Sequence, residues 1–192
     1  MSLKLSFCSF LLILLIANLH CKKNAPPPNI LPPMTQEGKN TFGSMVNGEV
    51  WIPYYQCGLI NFLTKCEELQ TTVTYSDTTS KLPFYFKLFT SRKIDGGSFT
   101  DFIIGARIMK TGNIDNSSFQ VTFTRDSLSY SPQYPQGNAS NVITLIKLDT
   151  VNQIISGTFY FTLYGPYGPG NGDSVVVTDG RFDVTYNACL CH

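Results

Sequence analysis

Four of the six cysteines, Cys57, Cys66, Cys189 and Cys191, carry the side chains for disulfide or metal chemistry. In an exported protein an even number of cysteines indicates disulfides first. A bond between Cys189 and Cys191 would be strained because one residue separates them. Two pairings therefore link the 57–66 segment to the C-terminus, whereas the third joins Cys57 to Cys66 and leaves the other two strained or free. We favour the cross-links, each of which would contribute about 2–4 kcal/mol to stability.

A metal site is the alternative for these cysteines, as Cys₄ or as three cysteines with His192. Zinc sites usually place two cysteines two to four residues apart. Here eight residues separate Cys57 from Cys66 and one residue separates the C-terminal pair, so the spacing fits poorly. We therefore predict disulfides, and neither a metal nor another cofactor.

Motifs for catalysis are scarce. The chain contains no Gly-x-Ser-x-Gly motif, no phosphate-binding loop and no zinc-protease motif. A carboxylate pair for glycoside cleavage would meet in space rather than in sequence, and its candidates are Asp101, Asp115, Glu67 and Glu68. Solvated surface is the default interpretation of these four. We predict a protein that is not an enzyme, with a carboxylate-based glycoside hydrolase as the less favoured alternative.

Tyrosines in predicted loops are the candidate ligand contacts, because loop aromatics offer flat apolar faces to sugars and other ligands. The chain has 10 Tyr and 14 Phe, so some aromatic residues fall in loops by number alone. These tyrosines suggest a carbohydrate-binding accessory domain as an alternative function. The candidates are Tyr54, Tyr55, Tyr130, Tyr134, Tyr164 and Tyr167.

Composition limits the classes of partner. The 192 residues include 14 Lys and Arg against 13 Asp and Glu, and 43% are hydrophobic. This near balance of charge argues against nucleic acid or anionic lipid as an electrostatically captured partner. The length suits one domain with a tether, and the abundance of Thr, Phe, Tyr and Val favours strands.

The N-terminal residues are predicted to be an export signal. Lys4 precedes the apolar segment 7–17, which is shorter than the roughly 20 residues of a membrane-spanning helix. This segment leads to Cys21, and Lys22 begins a polar stretch. The arrangement resembles a bacterial lipoprotein signal, in which cleavage before the cysteine is followed by its acylation. We predict a signal peptide over 1–20 and a palmitate-type anchor on Cys21 in the outer membrane, facing the periplasm or the cell surface. An ordinary secretory signal with an incidental cysteine is the alternative.

A proline-rich segment follows. Five of the eight positions 26–33 are Pro, which disfavours helix and sheet pairing because proline lacks the amide donor and has a fixed φ. Such a segment prefers extended polyproline geometry and acts as a semi-rigid spacer. We therefore predict a lipid-anchored tether over residues 21–40.

Residues 41–192 are predicted to form one all-β domain. The Asn47-Gly48 pair predicts a type I′ hairpin turn between two short strands, and 59–68 is the one segment predicted as a short helical turn. About ten short strands separated by turn residues are typical of a single antiparallel β-sandwich or a partly closed barrel. The predicted strands are 42–46, 49–52, 69–75, 84–90, 102–109, 119–125, 142–148, 154–164, 174–177 and 182–186.

Two terminal segments carry a family resemblance. The segment 31–43 reads LPPMTQEGKNTFG and is followed by VNGEVW at 46–51, while 155–161 reads ISGTFYF and 177–184 reads VTDGRFDV. These segments resemble the opening and closing parts of a family of envelope lipoproteins from Bacteroidota. The resemblance implies an envelope location and an all-β fold, and it implies no activity.

Structural roles account for the residues in these segments. Asp179-Gly180 predicts a turn or bulge, and Gly157 inside a strand predicts a bulge or close contact with a large neighbour. Trp51 and Phe159 are predicted core residues. We therefore expect an exported, lipid-anchored, non-enzymatic binding or structural module, whose partner beyond the membrane is a glycan or an envelope protein.

Overall fold

The computed structural model describes residues 29–55, 69–75, 84–93, 99–108, 110–132, 141–165 and 173–189. These residues form two packed β-sheets that do not close into a barrel. The all-β sandwich predicted from the sequence is therefore confirmed. The predicted helical turn at 59–68 lies outside the described residues.

One sheet has six antiparallel strands in the order β2-β1-β12-β11-β10-β7. Asn47 and Gly48 form the turn between its first two strands, with φ of 51° and 82°, and this confirms the predicted hairpin. The strands are β1 Thr41–Val46, β2 Glu49–Trp51, β7 Gly112–Ile114, β10 Val142–Asp149, β11 Ile154–Tyr164 and β12 Ser174–Thr185.

The other sheet has seven strands in the order β13-β4-β5-β6-β8-β9, and β3 also pairs with β5. Its pairs are antiparallel except β13 with β4 and β3 with β5, which are parallel. The strands are β3 Tyr54–Tyr55, β4 Leu69–Tyr75, β5 Phe84–Lys93, β6 Phe99–Ile108, β8 Phe119–Arg125, β9 Leu128–Tyr130 and β13 Asn187–Cys189. A bridge between Ser131 and Tyr164 joins the two sheets at one edge.

The predicted strand list differs from the structure in several bounds and in the number of strands. Four strands of two or three residues, β3, β7, β9 and β13, were not predicted, because so short a segment shows no alternation. The two predicted strands at 174–177 and 182–186 are one strand, β12. The chain between them forms a bulge at Asp179, where φ is 52° and the register with both neighbouring strands shifts.

Aromatic side chains dominate the core between the sheets. Phe42, Trp51, Phe102 and Phe159 are all buried, and their adjacent ring centroids lie 5.0 to 6.4 Å apart. The predicted core positions of Trp51 and Phe159 are thus confirmed. Such ring pairs contribute beyond the apolar area that they bury.

β11 alternates between buried and more exposed residues, as the two-residue period of a strand requires. Phe159, Phe161 and Leu163 are buried, whereas Tyr160 between them is exposed. Gly157 in the same strand has the close contact that the sequence predicts. A Cβ there would lie 2.5 Å from the carbonyl oxygen of Thr144 and 2.8 Å from the ring of Phe182.

Residues 31–40, which we call the N-terminal strap, pack on β12 before β1 begins at Thr41. The Thr35 hydroxyl and the backbone amides of residues 37–39 donate hydrogen bonds of 2.6 to 3.2 Å to the buried Asp183 carboxylate. Asn40 Oδ1 accepts hydrogen bonds from the backbone and hydroxyl of Thr185, both at 2.9 Å. Residues 31–40 of the predicted tether therefore contact the folded domain, because the Asp183 carboxylate accepts hydrogen bonds from their polar groups.

Candidate ligand-binding face

The structure places two of the predicted tyrosines in the core. Tyr54 and Tyr130 are buried, so neither offers a free ring face to a ligand, contrary to the expectation for loop residues. Tyr164 is half-buried at the end of β11. Tyr55 has its backbone in β3, and Tyr134 and Tyr167 lie outside the described residues.

Tyr130 is part of a structural cluster. Its hydroxyl donates a 2.7 Å hydrogen bond to Asp173 Oδ2 and accepts one of 3.0 Å from Arg125 Nη2. The Arg125 guanidinium carbon also lies 5.3 Å from the centre of the Tyr130 ring. These contacts connect β8, β9 and the start of β12. The ring face that a sugar would need is therefore occupied by an arginine of the same chain.

The candidate carboxylates have different surroundings. Burial raises the pKa of the Asp101 carboxyl, whose Oδ1 atom is buried without a hydrogen-bond partner. The hydroxyl and backbone amide of Ser117 donate to Asp115 Oδ1 at 2.6 and 2.8 Å, and they hold the pKa of that carboxyl below its usual value. Asp115 caps the 3₁₀ turn Asn116–Ser118, which is a structural role. Glu67 and Glu68 lie outside the described residues.

The cysteine predictions fall mostly outside the described part of the chain. Cys21, Cys57, Cys66 and Cys191 are not described, and Cys189 has its backbone in β13. Within the described ranges, no three His, Cys, Asp or Glu side chains are grouped as a metal site. In those same ranges no helix has the length and apolar character needed to cross a membrane.

Among the aromatic side chains of the seven-stranded sheet whose exposure the structure describes, Tyr85 is the most exposed, and it is not one of the predicted ligand contacts. It lies on the outer face of β5 and is 42% exposed. A Cβ on Gly105 of β6 would lie 2.0 Å from the Tyr85 hydroxyl and 2.9 Å from its ring carbon Cζ. The ring therefore crosses the backbone at buried Gly105, and its other side is open to solvent. Glycine allows this contact, because a side chain at position 105 would meet the hydroxyl end of the ring and displace it.

One cation lies on each side of this ring. Tyr85 pairs with Arg107 across the strands, and Lys87 pairs with Gly105. These four positions form a square on the outer face, in which the ring of Tyr85 follows one diagonal and the two cations occupy the ends of the other. Lys87 and Arg107 are both exposed. Diagonal neighbours in a sheet are about 7–8 Å apart at the backbone, within reach of long side chains.

A concavity of about 290 Å³ adjoins the ring, and Tyr85, Gly105, Arg107, Ser117 and Gln120 contribute to its lining. Gln120 pairs with Gly105 from β8, so its amide lies beyond the hydroxyl end of the ring. An apolar ring with hydrogen-bonding groups at its margin is a suitable arrangement for a small polar ligand.

Two acidic residues bear on the charge of this face. Asp115 lies two residues before Ser117 of the concavity, and Ser117 donates two hydrogen bonds to its Oδ1 atom. Asp101 is four residues from Gly105 along β6, a distance of about 13 Å. Neither Lys87 nor Arg107 forms an ion pair with any residue in the described ranges. Within the described ranges, the face around Tyr85 therefore has two cations without an ion-pair partner.

A second concavity, of about 260 Å³, lies on the outer face of the six-stranded sheet, next to the strap. Met34 and Tyr160 contribute exposed apolar surface there. Arg181 is the cation at this place, and it already donates to the carbonyl oxygens of Asp179 and Pro32 at 3.1 and 3.4 Å. The Arg181 guanidinium is thus less available to a ligand than the side chains of Lys87 and Arg107.

The alternation of residues in β5 predicts part of the Tyr85 site. Tyr85, Lys87 and Phe89 alternate with the buried Phe86 and Leu88, so the sequence indicates which residues share the outer face. It does not indicate that Gly105 lies diagonally beneath the ring. Comparisons of the chain with protein-family models, with curated proteins and with solved structures found no match.

Proposed function

We propose that this protein is an exported, lipid-anchored, non-enzymatic binding module of the outer membrane, and that it binds a saccharide on the outer face of the seven-stranded sheet. The observation that carries the binding role is the Tyr85 ring, which crosses Gly105 and leaves its other side open. Aromatic rings in this position bind sugars through their apolar face, while neighbouring polar groups bind the hydroxyls. This proposal keeps the carbohydrate-binding role suggested by the sequence and moves it from the loops to a sheet.

The strap supports a location close to the membrane. Its contacts with the sheet begin at Leu31 and Pro32, whose side chains approach Gly43. Ten residues lead from Cys21 to Leu31, and a fully extended chain of that length spans about 35 Å at most. An acyl chain on Cys21 would therefore hold the β-sandwich within that distance of the bilayer.

Metabolic labelling with radioactive palmitate tests the anchor. We expect the wild-type protein and a Cys8→Ala variant to carry label, because Cys8 lies in the predicted signal peptide. A Cys21→Ala variant should carry none. Label that persists in the Cys21→Ala variant would contradict the anchor.

A glycan array with full-length protein in detergent tests the binding role. We expect saccharide binding that Tyr85→Ala abolishes and that Tyr160→Ala, a control on the other sheet with a similarly exposed ring, preserves. Binding that survives Tyr85→Ala but is lost in Tyr134→Ala or Tyr167→Ala would return the site to the loops. An array without any bound glycan would refute saccharide binding.

A further inference from the structure

We propose that the saccharide bound at Tyr85 is anionic, and that Lys87 and Arg107 bind its carboxylate or sulfate group. This inference rests on the proposed saccharide binding and specifies the class of sugar. It is carried by the square of Tyr85, Lys87, Gly105 and Arg107, which places one cation on each side of the ring.

The inference is supported, first, by the positions of Lys87 and Arg107 relative to the Tyr85 ring. Because the ring of Tyr85 follows the diagonal towards Gly105, a sugar stacked on it has Lys87 at one side and Arg107 at the other. A charged substituent on either edge of that sugar meets a cation. The ring thus fixes the plane of the ligand, and the two cations select its charge.

The inference is supported, second, by the unused hydrogen-bonding groups of Lys87 and Arg107. Within the described ranges neither Lys87 nor Arg107 has a partner, whereas Lys147, Arg125 and Arg181 have partners in this chain. Guanidinium groups bind carboxylates and sulfates through two parallel hydrogen bonds, and an ammonium group adds a point charge. Charge-assisted bonds of this kind are about twice as strong as neutral ones.

The inference is supported, third, by the charge complementarity between the two cations and an anionic ligand. The Asp115 carboxylate accepts two hydrogen bonds from Ser117 and, within the described ranges, forms no ion pair with Lys87 or Arg107. Two exposed cations at one site repel each other, and an anionic ligand removes that repulsion when it binds. A neutral sugar would gain only the contact with the ring and the hydrogen bonds of its hydroxyls.

Titration calorimetry with three oligosaccharides of equal length tests the inference on the full-length protein in detergent. The probes are a neutral galactose oligomer, a galacturonate oligomer and a sulfated galactose oligomer. We expect at least one anionic probe to bind about tenfold or more tightly than the neutral probe at low salt. That advantage should shrink as salt is added, because exposed charges are screened.

Variants locate the source of the preference. Lys87→Met and Arg107→Met should each reduce affinity for the anionic probe about tenfold while leaving affinity for the neutral probe unchanged. Lys39→Met is the control, since it removes the same charge from an exposed lysine of the strap and should change neither affinity. Tyr85→Ala should weaken the binding of all three probes.

The outcomes separate this inference from the proposed function. Equal binding of neutral and anionic probes, or an anionic preference that both methionine variants retain, would overturn the role of Lys87 and Arg107 and leave saccharide binding standing. A failure of all three probes together with an array that binds no glycan would overturn both. Preference for the galacturonate over the sulfated oligomer, or the reverse, identifies the anion.

Discussion

The hydroxyl of Thr35 donates a 2.6 Å hydrogen bond to the carboxylate of Asp183, although 148 positions separate the two residues. Thr35 belongs to the N-terminal segment 31–43, and Asp183 belongs to the C-terminal segment 177–184. The two segments therefore form one structural unit, the strap on β12. This contact gives both segments a role in the fold that requires no catalysis.

Asp183→Asn should lower the free energy of unfolding by about 3 kcal/mol. The amide retains one acceptor oxygen for the four donors that the carboxylate now satisfies, and unpaired buried donors are costly. Urea titration followed by fluorescence of Trp51, the one tryptophan in the chain, measures the change. Asp179→Asn is the matched control on β12 and should have little effect, because asparagine tolerates the positive φ of that position. Equal stability of the two variants would contradict the role of Asp183.

The stabilisation from Asp183 should depend on pH in a defined direction. Burial alone would raise the pKa of its carboxyl, but the hydrogen bonds from Thr35 and the strap amides outweigh burial and leave the pKa below its usual value. A lowered pKa in the folded state stabilises the protein above the unfolded value of about 4, and that stabilisation is lost as the pH falls through the folded value. The stability difference between wild type and Asp183→Asn should be constant from about pH 5 to 7 and narrow below about pH 4. A difference that grows towards acid pH would refute this account.

Gly157→Ala should cost about 2–3 kcal/mol, whereas Gly105→Ala should cost less than about 1 kcal/mol. The new Cβ at Gly157 meets the backbone oxygen of Thr144, which cannot move away without disturbing β10. The new Cβ at Gly105 meets the hydroxyl end of Tyr85, which can swing outward. Urea titration measures both costs, and Gly105→Ala should also weaken saccharide binding. If Gly105→Ala is equally costly when Tyr85 is first replaced by Ala, the ring is not the group that meets the new side chain.

Thr100→Val should destabilise the protein by about 1–3 kcal/mol. The Trp51 indole donates a buried 2.9 Å hydrogen bond to the Thr100 hydroxyl, and valine has nearly the same shape without an acceptor. Thermal unfolding monitored by circular dichroism gives the change. Thr122→Val, on the outward-facing side of β8, is the control and should be nearly neutral. A variant as stable as wild type would show that the indole finds another partner.

The cysteine cross-links remain a prediction of the sequence. Mass mapping without reductant should find the 57–66 segment joined to the C-terminal segment that includes Cys189 and Cys191. Cys189 lies on β13, which is paired with β4 over three residues, so reduction should destabilise this edge and lower the unfolding free energy by about 2–4 kcal/mol for each bond. Replacing Cys189 or Cys191 by Ser, one at a time, distinguishes the two pairings. Four alkylatable thiols in the native protein would refute the cross-links.

The burial of the tyrosines could not be predicted from the sequence. Tyr130 lies among polar residues and was predicted in a loop, but the structure buries its ring and pairs its hydroxyl with Arg125 and Asp173. Tyr85 lies within a strand and was not selected, although it has the open ring. Burial depends on what packs above a residue, and that information comes from distant parts of the chain.

Local chemistry in the sequence determined the class of fold, the faces of β11 and the Asn47-Gly48 turn. Each follows from backbone preferences and from the two-residue period of a strand, which involve neighbouring residues alone. Only the tertiary structure decided that the Asp183 carboxylate accepts hydrogen bonds from the strap and that Gly105 lies beneath Tyr85. Those contacts depend on which strands pair and in which register, and the register follows from the collective burial of the core rather than from any single segment.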